Sequence, residues 1–235
     1  MSAIIFRKVI MSIEEGLLGV RGSIEKAAVS CGRQPNEIRL VAVSKFKSVD
    51  DIKSAYDLGV RDFGENYIQE LCDKYSTLSD CDILWHVIGP IQRNKVKYIA
   101  DKNIFVQSLD RLSLAEELSK HAVKHSKVIP ALIQVNTCGE DTKSGCAPEE
   151  LLELFEQCSK LPGISIQGLM TIGPNTDDEY EVEKCFEETN ELFKKLKTLS
   201  PDIKYLSMGM TNDYELAIKH GANIVRVGRA IFGAR

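Results

Sequence analysis

None of the seven cysteines stands in a CxxC pair or in finger-like spacing with histidine, and seven is an odd number. That argues against a disulfide framework and against a structural zinc site, and it suits a reducing compartment. Long apolar runs are missing as well: the hydrophobic stretches are strand-sized and broken by charge, too short to cross a bilayer as helices. The opening residues, MSAIIFRKVIMSIEE, lack the apolar region and cleavage site of a secretory signal. Arg7 and Lys8 would suit a mitochondrial presequence, but Glu14 and Glu15 oppose it, so a cytoplasmic location is expected. Neither sign of charge dominates. Thirty Lys and Arg against 34 Asp and Glu leave a net charge of −4, with no pull towards nucleic acid or an acidic membrane surface. Any anionic ligand must therefore be bound by a local arrangement of groups.

No GxGxxG and no GxxxxGK[ST] occurs, which removes the glycine-rich phosphate turn that an open, doubly wound sheet would place after its first strand. What the chain has is alternation. A helical pattern over residues 10–30 precedes eight short apolar runs, at 39–44, 62–65, 83–88, 104–108, 128–135, 164–171, 205–208 and 224–227. Between them lie amphipathic stretches, most opened by Asp, Ser or Pro. The clearest, TDDEYEVEKCFEETNELFKKLKTL, is acidic at its start and basic at its end, as the helix dipole favours. The basic run QRNKVKYIADK reads as the solvated face of the third helix. Eight βα units in 235 residues, with no Pro/Gly/Ser linker, predict one (β/α)8 barrel domain over 1–235 with an extra N-terminal helix.

In such barrels the chemistry sits at the C-terminal ends of the strands, with phosphate commonly held after strands seven and eight. The first strand, RLVAVSKFKS, puts Val41, Val43 and Lys45 on one face. Lys45 is either a snorkelling strand end or a partly desolvated amine with a lowered pKa, suited to Schiff-base formation. The eighth strand carries Arg226 on the face of Ile224 and Gly228, so a permanently charged guanidinium points into the barrel. It needs a ligand atom or a carboxylate such as Glu65 as acceptor. Ser207 offers a hydroxyl, and the Gly228–Arg229 turn offers backbone N–H groups, where an anion would bind. Asn66 ends the second strand. His86 reads more readily as a satisfied core histidine than as a base, and Met170 as packing.

The segments VAVSKFKSVDDI, DFGENYIQE, LWHVIGPIQRNKVK, LIQVN, KSG, GLMTI, LSMGM and VRVGRAIFG, in that order over residues 38–235, resemble the pyridoxal phosphate homeostasis proteins, the YggS/PROSC family. The resemblance implies a barrel like the N-terminal domain of alanine racemase, of fold type III among pyridoxal phosphate proteins, with pyridoxal 5′-phosphate as cofactor. By the same match Lys45 is the Schiff-base lysine and Arg226 faces the pyridine nitrogen. Asn66 lies beside the ring, and Ser207 with the Gly228–Arg229 backbone holds the phosphate; His86 and Met170 complete the expected surroundings. Arg229 stands where many relatives carry a small hydroxyl residue, and Thr211 where many have serine. The resemblance also implies a carrier that serves intracellular vitamin B6 homeostasis and delivers the cofactor to apo-enzymes, and the chain as given holds no residues for racemase's C-terminal β-domain, whose absence makes a monomer the expectation. The alternatives are a cofactor-dependent enzyme with an unidentified amino-acid substrate and a cofactor-free Schiff-base aldolase.

Overall fold

A computed structural model describes residues 12–139 and 144–233. The first helix, α1 (Ile13–Ser30), is opened by a reciprocal cap. The Ser12 hydroxyl accepts from the Glu15 N–H at 3.1 Å, and the Glu15 carboxylate accepts from the Ser12 N–H at 2.8 Å. Its stripe of Leu17, Val20, Ile24 and Ala28 is buried against the last two helices of the chain. The predicted start at residue 10 lies outside the described residues.

Eight parallel strands follow: β1 (Arg39–Val43), β2 (Asp62–Glu65), β3 (Leu84–Val87), β4 (Ile104–Leu109), β5 (Ile129–Gln134), β6 (Ile164–Met170), β7 (Tyr205–Ser207) and β8 (Ile224–Val227). They pair in chain order and close as β1 meets β8, with Val41 opposite Arg226. The predicted strands at 62–65 and 224–227 are met residue for residue, and the other six differ by one or two positions at their ends. Around the barrel run α2 (Val49–Asp57), α3 (Ile68–Thr77), α4 (Leu112–Lys124), α5 (Leu151–Cys158), α6 (Glu179–Leu199), α7 (Tyr214–Lys219) and α8 (Arg229–Phe232). The basic run after β3 is not an α-helix: Arg93–Tyr98 winds as a tighter 3₁₀ segment that buries only Val96. With three basic side chains and a single inward anchor in that stretch, little apolar surface rewards a full helical turn.

Two apolar layers result. The larger lies between strands and helices and includes Ala42, Phe63, Trp85 and Val225. The smaller fills part of the barrel interior with Val41, Phe105, Leu132, Met170 and Ile224. Met170 reaches the interior because β6 is irregular. Ile164, Ile166 and Leu169 all face the outer layer, so one extra residue is inserted between 166 and 169, where the β5 pairing slips past Ala131. Gly168 sits at this point with φ of 152°, and a Cβ there would overlap the Tyr205 carbonyl oxygen of β7. Only a residue without a side chain lets the two strands pair. Gly168→Ala is therefore expected to cost at least about 3 kcal/mol from steric overlap plus backbone strain, read as a lowered urea midpoint; a loss below about 1 kcal/mol would contradict this account.

Candidate functional site

The mouth of the barrel at the strands' C-terminal ends opens into a cavity of about 1240 Å³. Lys45, Arg226, Gly228 and Arg229 line it together with Val43, Thr211 and Asp213. Lys45 follows the end of β1 by two residues, and β1 pairs with β8 with Val41 opposite Arg226, so the amine and the guanidinium are carried by adjacent βα units. Lys45 is half-buried.

The chain turns abruptly after Lys45, since β1 ends at Val43 and Phe46 adopts φ of 62°. A left-handed conformation costs a non-glycine residue about 1–2 kcal/mol. It is offset by a group on α3, because the Phe46 N–H donates to Glu70 at 2.6 Å. On the other side of Lys45, the Lys74 ammonium donates to the Ser44 carbonyl at 2.7 Å, to Glu65 at 2.8 Å and to Glu70 at 2.6 Å. All three ammonium protons are thus used. Ser44 also donates its hydroxyl to Glu65 at 2.6 Å. The backbone on both sides of Lys45 is held by one buried ionic cluster. Lys47, by contrast, donates to the carbonyls of Phe232 and Gly233 at the end of α8.

This cluster corrects one alternative left open by the sequence. Glu65 is not the partner of Arg226; it faces outward from β2 to Lys74 on α3. Arg226, 3% exposed, instead donates to the Ser207 hydroxyl at 2.7 Å and to the Thr171 carbonyl at 2.8 Å. Burial pulls its pKa down to about 10, with the charge of Asp213 opposing that shift. It remains a cation at neutral pH. Burial likewise pushes the Asp213 carboxyl above its ordinary range.

The other predicted residues lie elsewhere. Ser207 is fully buried beneath Arg226, and its hydroxyl is occupied between Arg226 and Gln107. His86 is deeper still, with its ring nitrogens against Asp62 and Gln107, and burial pushes its pKa below the usual histidine range. Met170 belongs to the interior apolar cluster. Asn66 follows β2 at the same end of the barrel, half-buried, and does not line the cavity. Lys143, from the KSG segment, lies outside the described residues. Thr211 and Asp213 of the loop after β7 do line the cavity; their hydroxyl and carboxylate four and six residues past the end of β7 were the available signal. Gly228 brings the backbone against β1, where a Cβ would stand 3.1 Å from the Val43 carbonyl oxygen. Among the described residues no cluster of His, Cys, Asp and Glu is placed to hold a metal ion, and no helix is long and apolar enough to cross a membrane.

A barrel of this kind with an amine and a guanidinium on one cavity matches a known class. The family described as the N-terminal domain of alanine racemase matches residues 29–235. A curated relative, the pyridoxal phosphate homeostasis protein of Pasteurella multocida, is 42% identical over 96% of this chain and 98% of its own length. The solved structure of PipY from Synechococcus elongatus with PLP bound superposes with a TM-score of 0.83 at 32% identity, covering 94% of this chain and all of that one. Alanine racemase of Clostridium difficile, at 14% identity, shares the fold with a TM-score of 0.77 over 95% of this chain and 57% of its own. The chain belongs to the family of the pyridoxal phosphate homeostasis proteins.

The ionic cluster beside Lys45 yields a stability test. Burial raises the Glu65 carboxyl above its ordinary value, against hydrogen bonds from Lys74 and Ser44. A raised carboxyl favours the folded state below the unfolded value and loses that contribution as pH rises through the folded value. Lys74→Met removes the opposing cation, so the loss should grow with pH, to about 3–5 kcal/mol at about pH 8 and much less at about pH 5. Urea unfolding at both values measures it, and an equal loss at both would refute the ionic account.

Proposed function

We propose that the protein binds pyridoxal 5′-phosphate reversibly through Lys45 and serves to hold and hand on this cofactor, as the names of its relatives suggest. The observation that carries the reading is the pair formed by Lys45 and Arg226 on one cavity at the barrel mouth. The donor set fits the group: a primary amine, a fixed guanidinium, the Thr211 hydroxyl, the Arg229 cation and the closely approaching Gly228 backbone line the same space. When bound, pyridoxal phosphate supplies an aldehyde that condenses reversibly with an amine.

In this reading Lys45 provides the amine and Arg226 faces the ring nitrogen. A permanently protonated group at that nitrogen leaves the ring without a proton and weak as an electron sink, which suits storage better than racemisation. Thr211 with the Gly228 backbone and Arg229 takes the phosphate, since the hydroxyl of Ser207 is already engaged below Arg226. Asp213 lines the same cavity, and its charge acts on Arg226. Delivery to apo-enzymes, a monomeric state and a reducing cytoplasm belong to the same proposal. A reversible linkage would suit delivery, and seven cysteines without a CxxC pair suit a reducing compartment.

Purified protein mixed with pyridoxal phosphate should develop a visible absorbance band. Lys45→Ala should lose that band and bind at least about tenfold more weakly, equivalent to about 1.4 kcal/mol. Borohydride reduction followed by peptide mapping should mark Lys45. A label on Lys47, or wild-type protein that takes up no cofactor, would overturn the reading.

A further inference from the structure

The barrel interior holds a file of polar side chains that runs from the cavity to the opposite opening. Arg226 on β8 donates to Ser207 on β7 at 2.7 Å. Ser207 Oγ lies 2.7 Å from Gln107 Oε1 on β4, and Gln107 Nε2 lies 2.7 Å from His86 Nδ1 on β3. His86 Nε2 lies 2.8 Å from Asp62 Oδ1, the first residue of β2. Arg226, Ser207, Gln107 and His86 are all buried, whereas the Asp62 side chain is 20% exposed.

The direction of each bond follows from the arginine. A guanidinium has no acceptor, so the Ser207 oxygen must accept from it. The hydroxyl proton is then available only to Gln107 Oε1. That fixes the amide with its NH₂ turned to His86, and an amide NH₂ only donates. His86 Nδ1 must therefore be the bare nitrogen, and the ring proton sits on Nε2, donated to the Asp62 carboxylate.

We propose that Asp62, His86, Gln107 and Ser207 form a one-way hydrogen-bond relay that positions Arg226 at the pocket and locks His86 as the neutral Nε2–H tautomer. What Arg226 is positioned for rests on the function proposed above; the relay itself does not. A charged His86 would aim a second N–H at the Gln107 NH₂. Accepting that proton requires the amide to turn over, which strands the Ser207 hydroxyl between two donors. The charged groups that face His86 are Asp62 and, behind it, Arg39, whose Nε is 3.7 Å from Asp62 Oδ1. On the neighbouring strand it meets the neutral Phe105 ring at 5.3 Å and Gln107. Burial, which holds His86 below its ordinary range, acts in the same direction as the relay. A group that engages Arg226 is thereby coupled to the far end of the barrel, and such coupling is reciprocal.

Nitrogen-15 NMR of the histidine rings in ligand-free protein tests this directly, since the chain has four histidines. His86 should show the Nε2–H tautomer and no titration between about pH 5 and about pH 9. An Nδ1–H ring, or titration in the ordinary histidine range, would overturn the relay. Gln107→Glu is nearly isosteric and replaces the donor facing Nδ1 with an acceptor, so the ring should become doubly protonated at neutral pH; an unaltered ring would also overturn it. In the same variant, titration with pyridoxal phosphate should show several-fold weaker binding and a displaced visible band. Unchanged binding and spectrum would refute the positioning role. If wild-type protein takes up no pyridoxal phosphate, the proposed function fails, while the tautomer of the ligand-free ring still decides the relay.

Discussion

A guanidinium inside a barrel can neither lose its charge at neutral pH nor accept a hydrogen bond, and much of the interior is arranged around that constraint. Arg226 obtains two uncharged acceptors, the Ser207 hydroxyl and the Thr171 carbonyl. Asp213 acts on it as an opposing charge across the cavity edge. A direct buried carboxylate would have bound it more tightly but would also have blocked the nitrogen atoms that face the pocket. Neutral acceptors below and solvent-accessible space above leave the cation oriented and able to meet a ligand.

The constraint divides the barrel core. Val41, Phe105, Leu132, Met170 and Ile224 fill one part as an ordinary apolar barrel would, while Ser207, Gln107, His86 and Asp62 occupy the other. Unsatisfied polar atoms in such a place would cost about 1–3 kcal/mol each, and the file avoids this because Ser207, Gln107 and His86 each accept on one side and donate on the other, ending on the acceptor Asp62. The second charged group at the site is handled differently. The backbone flanking Lys45 is held by Lys74, Glu65 and Glu70 in the outer layer, between β2 and α3. The barrel therefore keeps its fixed cation inside and its positioning ions outside, and the two sets do not compete for acceptors.

The strand order and the two principal residues were legible because they rest on local pattern. Alternation in RLVAV and NIVRV places Val41 and Arg226 inward whatever the rest of the chain does, and the closed barrel then makes their strands neighbours. What depends on stagger was not legible. Ser207 reads as a pocket hydroxyl only if β7 and β8 end level, but Ser207 pairs with Ile224 and the Arg226 N–H reaches Gly209, so Ser207 lies a layer lower. Thr211 takes its place at the cavity. The turn at Phe46 escaped for another reason: its positive φ is imposed by Glu70, 24 residues on, and no local signal encodes it. The bulge at Gly168 shows the same limit, since strict alternation from Ile164 would turn Met170 outward.

His86 illustrates how a residue can matter to a site without touching it. Its sequence context offers only a histidine in an apolar strand, for which a satisfied core role is the natural reading, and the structure does satisfy both ring nitrogens. Yet the partners that satisfy it are what orient the pocket's arginine, because hydrogen-bond direction propagates from a group that can only donate. Satisfaction and function are then one arrangement seen from its two ends: Asp62 at the lower opening terminates a chain of donors that begins at Arg226. A substitution that removes a partner anywhere along it leaves a buried atom unpaired and also frees the guanidinium to turn, so packing and ligand orientation at this site are set by the same four hydrogen bonds.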